Sequence, residues 1–333
     1  MQKSSSFISD TSLRIIRTNI GDESFHLFDK IKQGAPIVEE YLRHIYVLLE
    51  NEKPITRVAL YDNPHLSYED KKTALLGYYE CLGEAEVAQI FLEEVLKKIK
   101  QLSYECVIGP MNGSTWNDYR FVSNEGESFF LEPQNPLSYP QHFEQIGFRS
   151  IAQYYSSKGK TFAVKELQII EGENKFQEQG VRFRSLNLED YEQELKKIHE
   201  FSLDSFKQNF LFSPISWKTF RDKYLPLKNM VNPEFVLFAE DKNKKLVGLV
   251  FAIQDIFCQT EKRIIAKTIA RNPAPKYQGL GELMVLRFVE RTNKAGFASI
   301  IHALIIESGL SQHVSEKCFG ERFKTYNLYG KML

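Results

Sequence analysis

The chain is predicted to be an α/β protein of the α+β type, organised as two domains. Three observations carry that prediction. Its 333 residues are long for a single domain. Strand-like and helix-like runs follow an order in the first half that is a weak copy of the order in the second. One stretch, Arg263 to Gly296, reads as a strand, a proline-marked turn, a glycine corner and a helix.

Composition excludes several function classes. Hydrophobic residues make up 43% and charged residues 26%, ordinary globular values. Forty-three basic residues balance forty-three acidic ones. Zero net charge argues against a partner such as nucleic acid or an anionic membrane, where a basic excess is expected. Cys81, Cys106, Cys258 and Cys318 are far apart and form no C-x-x-C pair. No metal or redox motif is read, and free thiols in a reducing compartment are expected. The first ten residues hold no apolar core of signal-peptide length, and Leu246 to Ile253 is too short to span a bilayer. A cytoplasmic location follows as an expectation. The 16 tyrosines and 25 phenylalanines are read as core.

Taken in order, Ser12 to Thr18 alternates like a strand, and Ile37 to Glu50 shows helical periodicity. Ile55 to Tyr61 and Thr73 to Leu82 read as strands. Glu84 to Leu102 is the clearest helix, with Val87, Phe91, Val95, Ile99 and Leu102 recurring at three to four residues. Its charges suit the dipole, acidic at Glu84 and Glu86 and basic at Lys97, Lys98 and Lys100. Tyr104 to Ile108 is a buried strand broken by Gly109-Pro110. Asn112 to Pro140 is loop-rich, held down by Trp116, Phe129 and Phe130. Gln141 to Gly147 is a helix end and Phe148 to Tyr155 a strand. Ser156 to Lys160 reads as a polar connector, Phe162 to Ile170 as a strand or arm, and Gly172 to Gly180 as a linker.

The second half opens with a strand at Val181 to Leu186 and a helix from Leu188 to Phe206. Gln208 to Pro214 is a loop, and Ser216 caps a helix that runs to Leu225. Phe235 to Glu240 and Lys245 to Ile256 form a hairpin around Asp241-Lys242-Asn243-Lys244. The predicted division is therefore 1–158, a connecting arm and linker over 159–180, and 181–333.

The corner carries the chemistry. Arg263 to Ala270 has the β-branched richness of a strand. Pro273 and Pro275 forbid its continuation. Gly279 and Gly281 bracket Leu280 where a helix begins, and Gly296 ends it behind Arg291 and Lys294. Unpaired helix amides and a positive dipole end at a strand terminus suit an anion, and glycines let a phosphate reach the backbone. A tight turn needing glycine for its own geometry is the other reading. A dinucleotide fingerprint is excluded because position 284 is Met284, and no Gly-Lys-Ser/Thr of a P-loop is present.

Lys276-Tyr277-Gln278-Gly279-Leu280-Gly281 resembles the acyl-CoA corner of the GNAT superfamily of N-acetyltransferases. Both glycine positions match, and Lys276 stands where the family has Gln or Arg. The resemblance runs on through a strand at Ser299 to Ile306, a short helix at Gly309 to Phe319 and a strand at Glu321 to Met332. In the first half, Val107 to Ser114 with Gln145-Ile146-Gly147-Phe148 looks like a bacterial group of tandem GNAT-like proteins. The resemblance implies two tandem GNAT-like domains, each a mixed, mostly antiparallel sheet flanked by helices. It implies acetyl-CoA as co-substrate, held by Ile269, Ala270 and Arg271 along the strand. The corner residues Lys276, Tyr277, Gln278, Gly279, Leu280, Gly281 and Glu282 would take the phosphates, with Ser308 at the start of the next helix.

In the first half the corresponding corner is Gly83-Glu84-Ala85-Glu86. Two carboxylates there repel an anion, so this half is expected to cover the second and to form one wall of a substrate cleft. The usual family tyrosine is absent, because Ser315-Glu316-Lys317 stands where Tyr-Glu-Lys is common. Glu307, at a strand end beside the thioester, is the candidate base. Tyr326 is the candidate acid, with Tyr329 as a substitute. His302, amid apolar neighbours, is read as a core histidine. Asn112, Ser114, Trp116 and Asn117 are read as a substrate-recognition cluster or a hydrogen-bonded loop. The implied activity is N-acetyl transfer to a primary amine of a small molecule or peptide, without nucleic acid, membrane or metal. A homodimer is an assembly left open. The alternatives are a Fem-like aminoacyltransferase and a non-catalytic acyl-CoA-binding module.

Overall fold

The computed structural model describes residues 13–31, 37–307 and 320–333. The first half contains β1 (Leu13–Thr18), α1 (His26–Asp29), β2 (Leu42–Glu50), β3 (Lys53–Tyr61) and β4 (Thr73–Cys81). It continues through α2 (Ala85–Gln101), β5 (Cys106–Gly109), β6 (Phe121–Val122), α3 (Ser138–Gln145) and β7 (Arg149–Lys160). Then come α4 (Glu166–Glu178), β8 (Arg182–Ser185), α5 (Tyr191–Phe206), α6 (Trp217–Tyr224), β9 (Val236–Glu240) and β10 (Leu246–Gln254). The chain closes with β11 (Arg263–Arg271), α7 (Leu280–Lys294), β12 (Ser299–Ile306) and β13 (Glu321–Met332).

Among the described residues thirteen strands join one sheet in the order β1-β2-β3-β4-β5-β13-β7-β12-β11-β10-β9-β8, with β6 paired to β13. Among the described residues two pairs are parallel, β4 with β5 and β11 with β12. Each is joined by a helix, α2 or α7, as a parallel pair requires. The architecture is therefore a mixed, mostly antiparallel sheet flanked by helices.

The two halves exchange strands at the centre. β13 lies between β5 and β7, pairing Tyr329 with Gly109 on one edge and Tyr326 with Tyr154 on the other. β7 in turn lies between β13 and β12, pairing Ser157 with His302. The last strand thus completes the sheet of the first half, and β7 completes that of the second. Burying these central strands on both sides removes two sheet edges and fixes the halves to each other.

The helices seal each face. Phe91, Val95 and Ile99 of α2 pack with Phe143 of α3 over the first half. Leu280, Met284 and Phe288 of α7 pack on Val250, Ile264 and Ala266, and α4 joins them through Ile169 and Phe176. On the opposite face Leu195, Phe201 and Phe220 of α5 and α6 cover Phe238 and Leu249.

Three expectations are corrected. Ile37 to Glu50 is not helical: residues 42–50 are β2, flanked by β1 and β3. Ile45 to Leu49 are all buried, so the run is continuously apolar and periodicity could not separate strand from helix. Ser156 to Lys160 is not a connector but the end of β7, with Ser156 and Ser157 buried. Residues 166–178, expected as arm and linker, form α4. Gly172 lies inside that helix, where a Cβ would come within 2.8 Å of Leu283 Cδ1. The missing side chain lets α4 lie close against α7.

Candidate functional site

The parallel pairing of β11 with β12 stops at Ala266–His302, although β11 runs on to Arg271 and β12 to Ile306. Their outer edges stay paired, Arg271 with Gly248 of β10 and Ile306 with Tyr154 of β7. The two strands therefore part and leave a wedge. Irregularities in both strands mark the divergence. In β11 the register skips Lys267, because Phe251 pairs with Thr268 and Ala252 with Ala266. In β12 it shifts between His302 and Ile305, with Leu304 at φ +61° and its N–H donating to Ser156 Oγ at 3.0 Å. Such bulges bend a strand and sharpen its twist.

At the end of β11 the corner turns through Pro275–Tyr277 into α7. Gly279 is the N-cap at φ +89°, a conformation open to glycine at no steric cost, and no side chain caps the helix. The Leu283 N–H closes the first turn on the Gly279 carbonyl at 3.1 Å. The amides of Leu280 and Gly281 precede any intrahelical acceptor and point out of the helix start. Gln278, Gly279 and Glu282 are exposed, and a Cβ at Gly281 would meet nothing closer than Arg271 Cδ at 3.7 Å. Backbone is therefore what this corner presents.

The matching position in the first half is closed. Pairing of β4 with β5 ends at Leu75–Ile108. Beyond it the Leu76 carbonyl accepts from Met111 N–H at 2.6 Å, and Asn112 Oδ1 accepts from Tyr78 N–H at 2.9 Å. Tyr139 Oη accepts from Cys81 N–H at 3.0 Å. The backbone groups that could grip a ligand are taken by the chain itself. Glu84 is the N-cap of α2, and Glu86 sits in its first turn.

No protein-family model matches the chain, and no curated protein matches it by sequence. A tandem GNAT protein from the clavulanic acid biosynthesis pathway, solved without AcCoA, is similar over 96% of this chain and 98% of its own, at TM-score 0.52 and 9% identity. A GCN5-related N-acetyltransferase from Sphaerobacter thermophilus matches over 90% and 82%, at TM-score 0.50 and 10% identity. A GCN5-related glucosamine N-acetyltransferase region of a fungal multi-domain GH3 β-N-acetylglucosaminidase matches over 97% of this chain, at TM-score 0.57 and 12% identity. This chain spans 38% of that fungal protein. The chain has a tandem GNAT-like fold. At such identities the likeness concerns the fold alone.

Within this tandem GNAT-like frame the predicted residues separate into two groups. Ile269, Ala270 and Arg271 are half-buried on the open part of β11, and Arg271 Nη1 donates to the Asn272 carbonyl at 2.9 Å. Lys276 is exposed beside the corner, its Nζ 4.8 Å from the Tyr277 ring centre. Tyr277 and Leu280, at the start of α7, are buried in the core of the second half, so their side chains serve packing. Ser308, the Gly309–Phe319 helix and Ser315-Glu316-Lys317 lie outside the described residues.

The candidate proton carriers sit differently. Glu307 follows β12 at the wedge and accepts from Arg322 Nη1 of β13 at 2.7 Å, with both side chains partly exposed. Tyr326 is fully buried, donating from Oη to Glu132 Oε1 at 2.7 Å, with Ser156 Oγ 3.1 Å away. Burial and the Glu132 carboxylate push its pKa upward, which opposes the acid role expected of it. It reaches the wedge through Ser156, which also holds Leu304. Tyr329 bonds Glu144 at 3.0 Å at the far end of the strand. Burial pushes His302 down to about 3, so it is neutral at ordinary pH, as a core histidine should be.

The face of the wedge opposite α7 is walled by the first half. Trp116 packs among Phe206, Phe212 and Phe220, and its Nε1 donates to the Ser213 carbonyl at 2.8 Å. Asn112 Oδ1 holds the Tyr78 N–H of β4 and Ser114 Oγ accepts from Trp116 N–H in its own loop, while Asn117 Oδ1 accepts from Lys223 Nζ at 2.9 Å. Arg120, Lys223 and Lys267 belong to no motif in the sequence and join the site only in the fold. Arg120 lies between the rings of Tyr119 and Tyr154, at 3.8 and 4.2 Å, and donates to the Leu304 carbonyl at 3.2 Å. Lys267, the bulged residue, donates to the Leu131 carbonyl at 3.3 Å. An isolated lysine in the apolar strand Arg263–Arg271 was the one available signal.

Among the described residues no group of His, Cys, Asp or Glu could hold a metal ion, and no helix is long and apolar enough to cross a membrane.

Proposed function

We propose that this chain is an acetyl-CoA-dependent N-acetyltransferase acting on a primary amine of a small molecule or peptide. The observation that carries the reading is the wedge, where two parallel strands part beside a helix start capped by Gly279 alone. Acetyl transfer needs a positioned thioester, a donor for the developing oxyanion and a path for the amine proton. The open backbone of Ile269–Arg271 suits the amide groups of a pantetheine arm. The amides at the start of α7, with Lys276 beside them, suit a pyrophosphate. Acetyl-CoA supplies the activated acyl group. This chain holds it by backbone, orients the amine against it from the face opposite α7, and excludes water with the loop of the first half.

Glu307 is the candidate for accepting the amine proton, directly or through water. It pairs with Arg322 at the open end of β12. Tyr326 holds Glu132 and Ser156 behind β12. The thiolate released from acetyl-CoA is a tolerable leaving group, so no buried acid is required. The division of labour between the halves follows from the closed first corner: one binds acetyl-CoA, and the other shapes the cleft.

The test is a thiol-release assay with acetyl-CoA and a panel of primary amines, with mass spectrometry of the products. Amine-dependent release and an acetylated product support the proposal. Acetyl-CoA binding without transfer to any amine would instead identify a non-catalytic acyl-CoA-binding module.

A further inference from the structure

We propose that the acceptor amine carries an anionic group, a carboxylate or a phosphate, received by Arg120, Lys223 and Lys267 at the wedge. The inference rests on the transferase reading above. Three cations from distant segments meet on the face opposite α7. Arg120 comes from the first-half loop and touches β12 where it has left β11. Lys267 is the bulged residue of β11 just past its last pairing with β12. Lys223, from α6, is tied to the Trp116 carbonyl and to Asn117.

Their partners differ from those of Arg263 and Arg184. Buried Arg263 meets carboxylates, bonding Asp255 and Glu127, and half-buried Arg184 bonds Glu194 and Glu240. Arg120 is only 7% exposed, yet its contacts are two aromatic faces and a carbonyl. Lys223 and Lys267 likewise donate to carbonyls and an amide oxygen. Among the described residues none of the three makes a salt bridge.

The acidic groups facing them leave a cationic excess. Glu132 is committed to Tyr326 Oη, to Phe129 N–H at 3.3 Å and to Lys324 at 3.9 Å, and burial pushes its pKa upward. That leaves exposed Asp118 against three cations. Burial first, and then Arg120 and Lys223, push Lys267 down to about 8. Like charges beside one another repel, and an arriving anion relieves that repulsion. The chain as a whole is neutral, so this excess is local. An anion seated here places a nearby amine against the open ends of β11 and β12.

The experiment measures kcat/KM for matched acceptors: amino acids against their amides, and 2-aminoethyl phosphate against ethanolamine. The charged member of at least one pair should be preferred by about 10- to 100-fold, the worth of a charged hydrogen bond. The carboxylate and phosphate pairs show which anion is taken. Added salt should narrow the preference. Lys223→Gln, at an exposed position, should also narrow it, and Arg120→Lys should retain part of it. Thermal denaturation and acetyl-CoA calorimetry verify that each variant folds. Transfer with equal efficiency to charged and neutral acceptors would overturn this inference and leave the transferase reading intact. No acetyl-CoA binding and no transfer to any amine would overturn both.

Discussion

Replacing Gly281 by valine separates the fold of the corner from its binding. A Cβ there meets Arg271 Cδ at 3.7 Å and Cγ at 4.0 Å, ordinary contact distances, and the residue is not in the left-handed region. Glycine inside a helix is less favourable than valine by a few tenths of a kcal/mol, so stability should hold or rise slightly. Binding should behave otherwise. The branched side chain stands over the amides at the start of α7, and each hydrogen bond to a charged phosphate is worth about 1.5–3 kcal/mol. Loss of one or two predicts roughly 10- to 10⁴-fold weaker acetyl-CoA binding. Gly279→Ala supplies the contrast. At φ +89° the alanine meets no atom within 4 Å yet is strained by about 1–2 kcal/mol, so its cost should appear chiefly in stability. Calorimetry and denaturant melts on both variants read the two quantities separately. A folded Gly281→Val with unchanged affinity would place the phosphates elsewhere and refute the reasoning.

Glu307→Gln should lower kcat by about 10²–10⁴-fold at neutral pH, the usual worth of a positioned base, with the loss shrinking as pH rises and more amine is deprotonated. Wild-type turnover across the pH range would remove the assignment. Tyr326→Phe should act on stability, costing about 1–3 kcal/mol by removing the short hydrogen bond that buried Glu132 Oε1 accepts. A tenfold fall in kcat at unchanged stability would restore Tyr326 as an acid. His302 contributes to acid sensitivity. It is neutral when folded down to about pH 3 and takes a proton below about 6.5 when unfolded, so stability is lost as pH falls through that window. Between pH 7.5 and 5.5 the loss should be about 1 kcal/mol, absent in His302→Leu, and an equal slope in both proteins by urea denaturation would contradict it.

Where the sequence was legible, local chemistry explains it. Gly279 and Gly281 after two prolines announce a corner, Ser216 caps α6 by accepting from Thr219 N–H, and β12 and β13 run over the expected residues. Where it was not, the deciding interactions were remote. β2 is buried on both faces, so its pattern lacked alternation. Gly172 and the charges of α4 suggested a linker because the helix it packs against, α7, lies more than a hundred residues on. The insertion of β13 between β5 and β7 is a matter of pairing partners, which side-chain periodicity does not encode. The cationic cluster combines Arg120, Lys223 and Lys267, three residues that are unremarkable one at a time. Glu84 and Glu86 suggested an anion-repelling first corner, not one closed by the chain itself. The hydrogen bonds that fill it, from Asn112 and Tyr139, needed the fold.

The central claim is that one half of this tandem fold binds acetyl-CoA and the other does not. Isothermal titration of the full chain with acetyl-CoA tests it most directly. The wedge beside α7 and the filled edge of β4 predict one site per chain, lost in Gly281→Val and retained in Glu84→Gln. Two equivalent sites, or a single site indifferent to Gly281, would contradict the account.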